Sequence, residues 1–206
     1  MAADPRERWN HHNHYHEWLL RHLPPSCDRA LDVGCGQGFF AARLASVAAH
    51  VDAVDVDRAT LDLAARLHPA GRVSFRAGDF LAMGLPAGGY DVVASIAALH
   101  HMEVVGALRE MRRLLRPGGR LAVLGLYRAR TPPDYATAGL AMVPNWIRRQ
   151  LVARIAGGSI DMAAPARTAT ASLAEIRSAA EAVLPGARIH RHLYWRYSLF
   201  WRSPVG

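Results

Sequence analysis

Leu31-Asp32-Val33-Gly34-Cys35-Gly36-Gln37-Gly38 decides how this chain is read. Apolar residues run into closely spaced glycines and then into Phe39-Phe40-Ala41-Ala42-Arg43-Leu44, a helix-forming stretch. The pattern is a buried strand, a tight turn and a helix predicted from Phe39 to about Val47. In a parallel α/β sheet such a turn lies at the carboxyl end of a strand, where ligands bind. A second apolar run, Val51 to Asp55, reads as the next strand, with a carboxylate at its tip.

The glycine spacing narrows the ligand. Dinucleotide sites favour G-x-G-x-x-G, whose third glycine lets the helix pack close while its N-terminus faces a pyrophosphate. Here the glycines fall at 34, 36 and 38, and position 39 is Phe. A tight turn without a pyrophosphate cradle suits a ligand with an adenosine and no phosphates. Asp55 follows Asp32 by 23 residues, where a carboxylate on strand two meets paired ribose hydroxyls.

Further segments extend the series. Val73-Ser74-Phe75 reads as strand three, with Gly78-Asp79-Phe80 at its end, and Tyr90-Asp91-Val92-Val93-Ala94-Ser95 as strand four. Leu114-Leu115-Arg116-Pro117-Gly118-Gly119-Arg120-Leu121 reads as a helix end, a turn and strand five. From about residue 28 to 126 the chain resembles the class I S-adenosylmethionine-dependent methyltransferases of the small-molecule type. The resemblance implies an α/β, Rossmann-like fold. Its seven-stranded mixed sheet would have the order 3-2-1-4-5-7-6, strand seven antiparallel, and helices on both faces.

The resemblance also implies roles. Gly34, Gly36 and Gly38 would line the methionine part of S-adenosylmethionine with bare backbone, and Cys35 and Gln37 belong to the same cofactor-facing turn. Asp32 would hold the loop and, directly or through water, the cofactor ammonium. Asp55 would accept both ribose hydroxyls. Val56 would pack on the adenine face, Asp79 would accept the adenine amine, and the Phe80 N–H would donate to the ring. Ser95 and Ile96 would sit under the sulfonium. The product would be S-adenosylhomocysteine.

The N-terminal stretch Trp9-Asn10-His11-His12-Asn13-His14-Tyr15-His16-Glu17-Trp18 leads into an amphipathic helix that ends at Pro24-Pro25. In similar enzymes a segment here folds over the cofactor. Tyr15, with His11 or His14, would then cover the sulfonium; ordinary packing and a metal site are the alternatives. A metal lacks ligands to complete a tetrahedron, so none is expected. His100 and His101 follow strand four, and either could serve as general base, since imidazole titrates near neutrality. A structural role for the pair is the alternative, because methyl transfer often needs only alignment and desolvation.

Length and composition bound the rest. A chain of 206 residues, 51% hydrophobic, suits one domain with a core. We divide it into an N-terminal lid (1–25), a cofactor-binding core (28–126), a substrate-side insert (127–171) and a closing helix and hairpin (172–206). Two cysteines, Cys27 and Cys35, make no disulfide framework. The N-terminus has no apolar signal core, so the expected location is cytoplasmic. All 25 basic residues are Arg, and residues 128–206 carry 11 of them against 4 acids. That excess reads as a solvated basic surface, with an anionic substrate or an acidic partner as the alternative.

Thr131-Pro132-Pro133-Asp134 opens a predicted helix to about Met142, and Asn145 to Ile155, which includes Trp146, reads as a second. Ser172-Leu173-Ala174-Glu175 is a capping box for a helix to about Leu184. Ile189 to Leu193 and Trp195 to Trp201 read as a closing hairpin, with Tyr194, Trp195, Tyr197, Phe200 and Trp201 packing the sheet. The expected activity is methyl transfer to an O, N, C or S atom of a small-molecule acceptor, as in bacterial secondary metabolism. The alternative is an RNA-modifying or non-catalytic S-adenosylmethionine-binding protein that uses its basic half. Neither nucleic acid nor membrane is an expected partner, and the oligomeric state is not legible.

Overall fold

A run such as Val51-Asp52-Ala53-Val54, buried on both faces, suits an interior strand of a parallel sheet that helices cover on each side, and the fold places it there. The structure, a computed structural model, describes residues 13–69, 71–131, 169–192 and 195–205. Along the chain come α1 (Asn13–Leu20), β1 (Cys27–Val33), α2 (Phe39–Leu44), β2 (Ala48–Asp55), α3 (Arg58–Leu67) and β3 (Val73–Ala77). β4 (Tyr90–Ile96), a short 3-10 turn (Leu99–His101), α4 (Val104–Leu114) and β5 (Leu115–Leu126) follow, and α5 (Leu173–Val183), β6 (Arg188–His192) and β7 (Arg196–Arg202) close the described chain. The strands form one sheet of order β3-β2-β1-β4-β5-β7-β6. β1 to β5 are parallel, and β7 runs antiparallel to both its neighbours. The expected order and the reversed seventh strand are both present.

Parallel register places the carboxyl ends of β1, β2, β3 and β4 on one edge, the edge that carries the glycine turn. Alternate side chains feed two cores. One face joins Leu31, Val33, Val93, Leu121 and Tyr197 to α4 and α5. The other joins Ala30, Val51, Ala53, Val92 and Leu124 to α1 and α2. Helix starts are capped by side chains: Asp57 accepts from the Ala59 and Thr60 amides, Glu103 from Val105 and Gly106, and Ser172 with Glu175 forms the predicted capping box.

Three boundaries differ from the sequence reading. α2 stops at Leu44, where Ser46 Oγ turns back to the Arg43 carbonyl, and β2 begins at Ala48, opposite Cys27. The predicted turn at Pro117-Gly118-Gly119 is absorbed into β5 as an irregularity in the β4–β5 register, with Gly118 in the left-handed region. Trp195 does not pack the sheet. It occupies the β6–β7 hairpin at φ 54°, 43% exposed, and its carbonyl accepts from the Tyr127 amide at 3.0 Å. Tyr194, the two predicted insert helices and Trp146 lie outside the described residues. Among the described residues no helix is long and apolar enough to cross a membrane.

Below the site, a buried polar knot ties three strands. Asp52 Oδ2 accepts from Tyr90 Oη at 2.9 Å and from Arg29 Nε at 3.0 Å. Arg29 also stacks its guanidinium on the Tyr90 ring, 5.1 Å from the centroid. Asp52 is 3% exposed and Tyr90 wholly buried, so removing the carboxylate strands a buried hydroxyl. Asp52→Ala is expected to lower the unfolding free energy by about 2–4 kcal/mol and Tyr90→Phe by about 1 kcal/mol in urea titrations.

Candidate functional site

The carboxyl edge of the sheet is stitched laterally from strand to strand. The amides of Gly34 and Cys35 donate to the Val54 carbonyl at 2.8 and 3.1 Å, fixing the glycine turn to the end of β2. Gly78 N donates to the Asp55 carbonyl at 2.9 Å, and Ala97 N to the Leu124 carbonyl at 2.7 Å. Ser95 Oγ donates to the Val33 carbonyl at 3.0 Å and joins β4 to β1. The result is a continuous shelf from β3 to β5.

Two glycines of the turn do different work. A Cβ on Gly34 would stand 2.2 Å from the Cβ of Ala98, so the loop after β4 closes over the turn only because position 34 is bare. That loop itself holds Ala97 at φ 53°, a left-handed conformation that costs a residue with a Cβ about 1–3 kcal/mol and concentrates at functional sites. Among the described residues a Cβ on Gly36 would meet nothing within 4 Å, and the backbone there forms a cradle that a ligand could fill.

Asp32 is 1% exposed, and its Oδ2 has no hydrogen-bond partner among the described residues. Burial, reinforced by the nearby Asp55 carboxylate, pushes its pKa up to about 7, against a smaller opposing hydrogen bond from the Ala41 backbone. A buried, half-satisfied carboxylate of this kind calls for a cation or a donor from a ligand. Asp55 is differently placed. Oδ2 accepts from Gly36 N at 2.9 Å and Oδ1 from Asp57 N at 3.0 Å, which orients the carboxylate and leaves lone pairs for two further donors. Val56, next in sequence, is 73% exposed, an apolar side chain with nothing over it.

The other candidates fall around these. Asp79, exposed at the end of β3, accepts from Leu81 N at 3.0 Å with one oxygen and keeps the other open. Phe80 buries its ring in the core, which fixes its amide beside Asp79. Cys35 is part-buried, and burial with the Asp32 and Asp55 charges pushes its thiol far above the ordinary range, so it remains protonated filler. Gln37 is exposed, and Gly38 is packed under the Phe75 ring, away from the opening. Ser95 is wholly buried and its hydroxyl is spent on Val33, so it supports the shelf with its backbone, as does half-buried Ile96 beside it.

His100 and His101 lie 4.0 Å apart between ring centroids, tilted by 40°, in the turn after β4. His100 Nδ1 is buried with no partner among the described residues, and burial, then the neighbouring imidazole, pushes its pKa down to about 4. His101 is exposed. Tyr15 lies on α1, its ring 5.5 Å from that of His192 and 6.4 Å from that of Trp18. The structure thus places it against His192 at the end of β6. His14 contributes helical backbone to α1, and its side chain, like His11, lies outside the described residues. His16 is buried against Phe40 of α2, 5.0 Å between rings.

Sequence reasoning missed Ala97, Ala98 and His192. The first two carried a signal, since a glycine that must be bare implies a neighbour that presses on it. His192 carried none, because its partners arrive from the opposite end of the chain.

The residues present fit S-adenosylmethionine. A buried carboxyl oxygen without a partner among the described residues stands at the end of β1, an oriented carboxylate stands at the tip of β2, and an exposed apolar side chain follows it. The sequence profile of a methyltransferase domain family matches residues 31–123, the span that builds this shelf. In structure the chain resembles the YcgJ protein of Bacillus subtilis, with a TM-score of 0.65 at 20% identity over 87% of this chain and 71% of the other. Over 47% of its length, and 38% of the relative's, it is 37% identical to the 27-O-demethylrifamycin SV methyltransferase of Amycolatopsis mediterranei. Over 96% of its length, and 98% of the relative's, it is 37% identical to an uncharacterized methyltransferase of Mycobacterium tuberculosis. Likeness along nearly the whole of both chains, on a sheet of this order, shows that the chain belongs to the class I S-adenosylmethionine-dependent methyltransferases.

Proposed function

We propose that this methyltransferase acts on a small-molecule acceptor, alkylating an O, N, C or S atom, in bacterial secondary metabolism. We assign the cofactor contacts to the carboxyl edge of β1 to β4. The single observation that carries the assignment is the buried, unpartnered Oδ2 of Asp32 beneath a turn that opens at Gly36. The small-molecule reading draws support from the 27-O-demethylrifamycin SV methyltransferase, which matches 47% of this chain.

When bound, the cofactor supplies an electrophilic methyl group on a sulfonium. Asp32 holds the ammonium of its methionine part, the backbone of Gly34 and Gly36 lines that part, and Asp55 accepts the ribose hydroxyls. Val56 covers one adenine face, while Asp79 and the Phe80 amide read its edge. The loop from Ile96 to Ala98 would form the floor of the acceptor site, and Tyr15 would wall that site against water. His100 stays neutral across the physiological range, which suits it to accept a hydrogen bond from the nucleophile and makes it a poor store for a full proton. His101, exposed beside it, is placed to pass that proton to solvent.

Calorimetry tests the assignment. Wild type is expected to bind S-adenosylhomocysteine at micromolar affinity, and Asp55→Ala to bind tenfold or more weakly, about 1.4 kcal/mol or above. Absence of binding by the folded wild type would overturn the reading. Radiolabel transfer to a panel of phenols, amines and carboxylic acids, against bulk RNA, then separates the acceptor classes; label in RNA alone would reject the small-molecule reading.

The Asp32 assignment has a pH signature. In the free protein the raised pKa means the carboxyl holds its proton to near neutrality, and binding of an ammonium favours the ionised form. Binding therefore releases a proton near pH 7, and affinity falls as pH drops below about 7. Binding enthalpies near pH 7 should vary with the ionisation enthalpy of the buffer in wild type and vary less in Asp32→Asn.

A further inference from the structure

α1 touches both halves of the molecule. On one side Glu17 pairs with Arg43 and His16 packs on Phe40, so the helix lies against α2, the helix that follows the glycine turn. On the other side Trp18 packs on Phe200 of β7 at 5.3 Å and on His192 of β6 at 5.1 Å, and Tyr15 packs on His192 at 5.5 Å. His22 extends the stack: its ring lies parallel to Phe200 at 4.6 Å, its Nδ1 is 2.8 Å from the Trp18 carbonyl, and Arg120 donates to its own carbonyl at 2.9 Å.

His192 is the ring that the two aromatic side chains of α1 share. Its orientation is fixed from below, where Nε2 lies 2.8 Å from Oγ of the fully buried Ser198. A ring held at one nitrogen and covered by Tyr15 and Trp18 is a seat, and α1 sits on it.

We propose that His192 is a positioning residue of the cofactor site: seated on Ser198, it holds α1 through Tyr15 and Trp18 and so sets Tyr15 at the rim of the shelf. The role given to Tyr15 rests on the function proposed above; the docking of α1 does not. The neutral imidazole performs the task. The titratable or charged groups that face it among the described residues are Tyr15 from α1, His190 from its own strand and Arg196 from β7, paired directly opposite. The acid of α1, Glu17, is instead engaged with Arg43 on α2. Protonation would therefore place a part-buried cation beside basic groups. Burial, with His190 adding to it, holds the His192 pKa below the ordinary imidazole value. The sign follows: docking is complete above the undocked imidazole value of about 6.5 and weakens as pH falls below it.

Two measurements on the full chain test this, each on wild type, His192→Gln and His192→Ala. Glutamine keeps a hydrogen-bonding group for Ser198 and does not titrate; alanine removes the seat. The first is hydrogen exchange of the Trp18, Leu19 and Leu20 amides without cofactor, corrected for intrinsic rates, at about pH 7.5 and about pH 5.5. Wild-type protection should fall on acidification, by at most about tenfold, His192→Gln should hold its protection, and His192→Ala should lack it at both values. The second is S-adenosylhomocysteine affinity at about pH 7.5, expected to weaken by about three- to tenfold in His192→Ala and to recover in His192→Gln. Wild-type protection of α1 in a folded His192→Ala, or an equal acid loss in His192→Gln, would overturn the proposal. Should His192→Ala not fold, the glutamine comparison decides alone. Failure of every protein to bind the nucleoside would instead reject the proposed function, and the exchange data would still decide the role of His192.

Discussion

The close passage of the loop after β4 over the turn after β1 governs the rest of the molecule. It requires position 34 to be bare, because any Cβ would stand 2.2 Å from that of Ala98. With that contact made, Gly34 and Cys35 can reach the end of β2, Ser95 can reach the end of β1, and Ala97 can reach β5. These ties are what a binding shelf at the carboxyl edge of a parallel sheet consists of. They also explain the left-handed Ala97: the chain turns sharply there because it must leave β4 while still pressing on the glycine.

The same compression creates the electrostatic character of the site. Asp32 is carried into the interior by β1, and part-buried Asp55 is held by the amide of Gly36, close enough for the two carboxyl groups to repel. Without a ligand this arrangement costs stability. Because the folded-state pKa of Asp32 is raised, its contribution becomes unfavourable as pH climbs from the ordinary carboxyl range toward about 7. A cation in the site relieves both the burial and the mutual repulsion. Binding strength is in this sense stored in the apo fold, and the polar knot of Asp52, Tyr90 and Arg29, fully satisfied, supplies rigidity beneath it.

What could be read from the residues alone depended on whether their partners were near in sequence. The strand-turn-helix at Leu31 to Leu44, the capping box at Ser172 and the strand tips at Asp55 and Asp79 are local patterns, and each sits where the spacing placed it. The end of α2 was misjudged because Ser46 and Val47 suit a helix as well as a turn, and only the pairing of Ala48 with Cys27 decides between them. Trp195 looked like a sheet residue for its chemistry, yet the hairpin needed a residue at its tip. The unpartnered oxygen of Asp32 and the burial of Ser95 are three-dimensional facts with no signature in a single sequence.

The docking of α1 belongs to this last category and shows why it matters for function. A sheet-edge site is open on the side away from the strands, and methyl transfer benefits from desolvation of the nucleophile. Something outside the sheet must therefore cover the edge while still admitting two ligands. A helix fastened at both ends would block entry, and one fastened at neither would leave water in the site. α1 has one charged attachment, to Arg43 in the last turn of α2, and one built of neutral rings at the β6–β7 hairpin. The first is exposed and weakens with salt, whereas the second, built of part-buried rings, is insensitive to salt and weakens with protonation. Glu17 lies between Tyr15 and Trp18 along the helix, so the two attachments grip opposite sides of the same stretch of α1, and each keeps it in register under conditions that loosen the other.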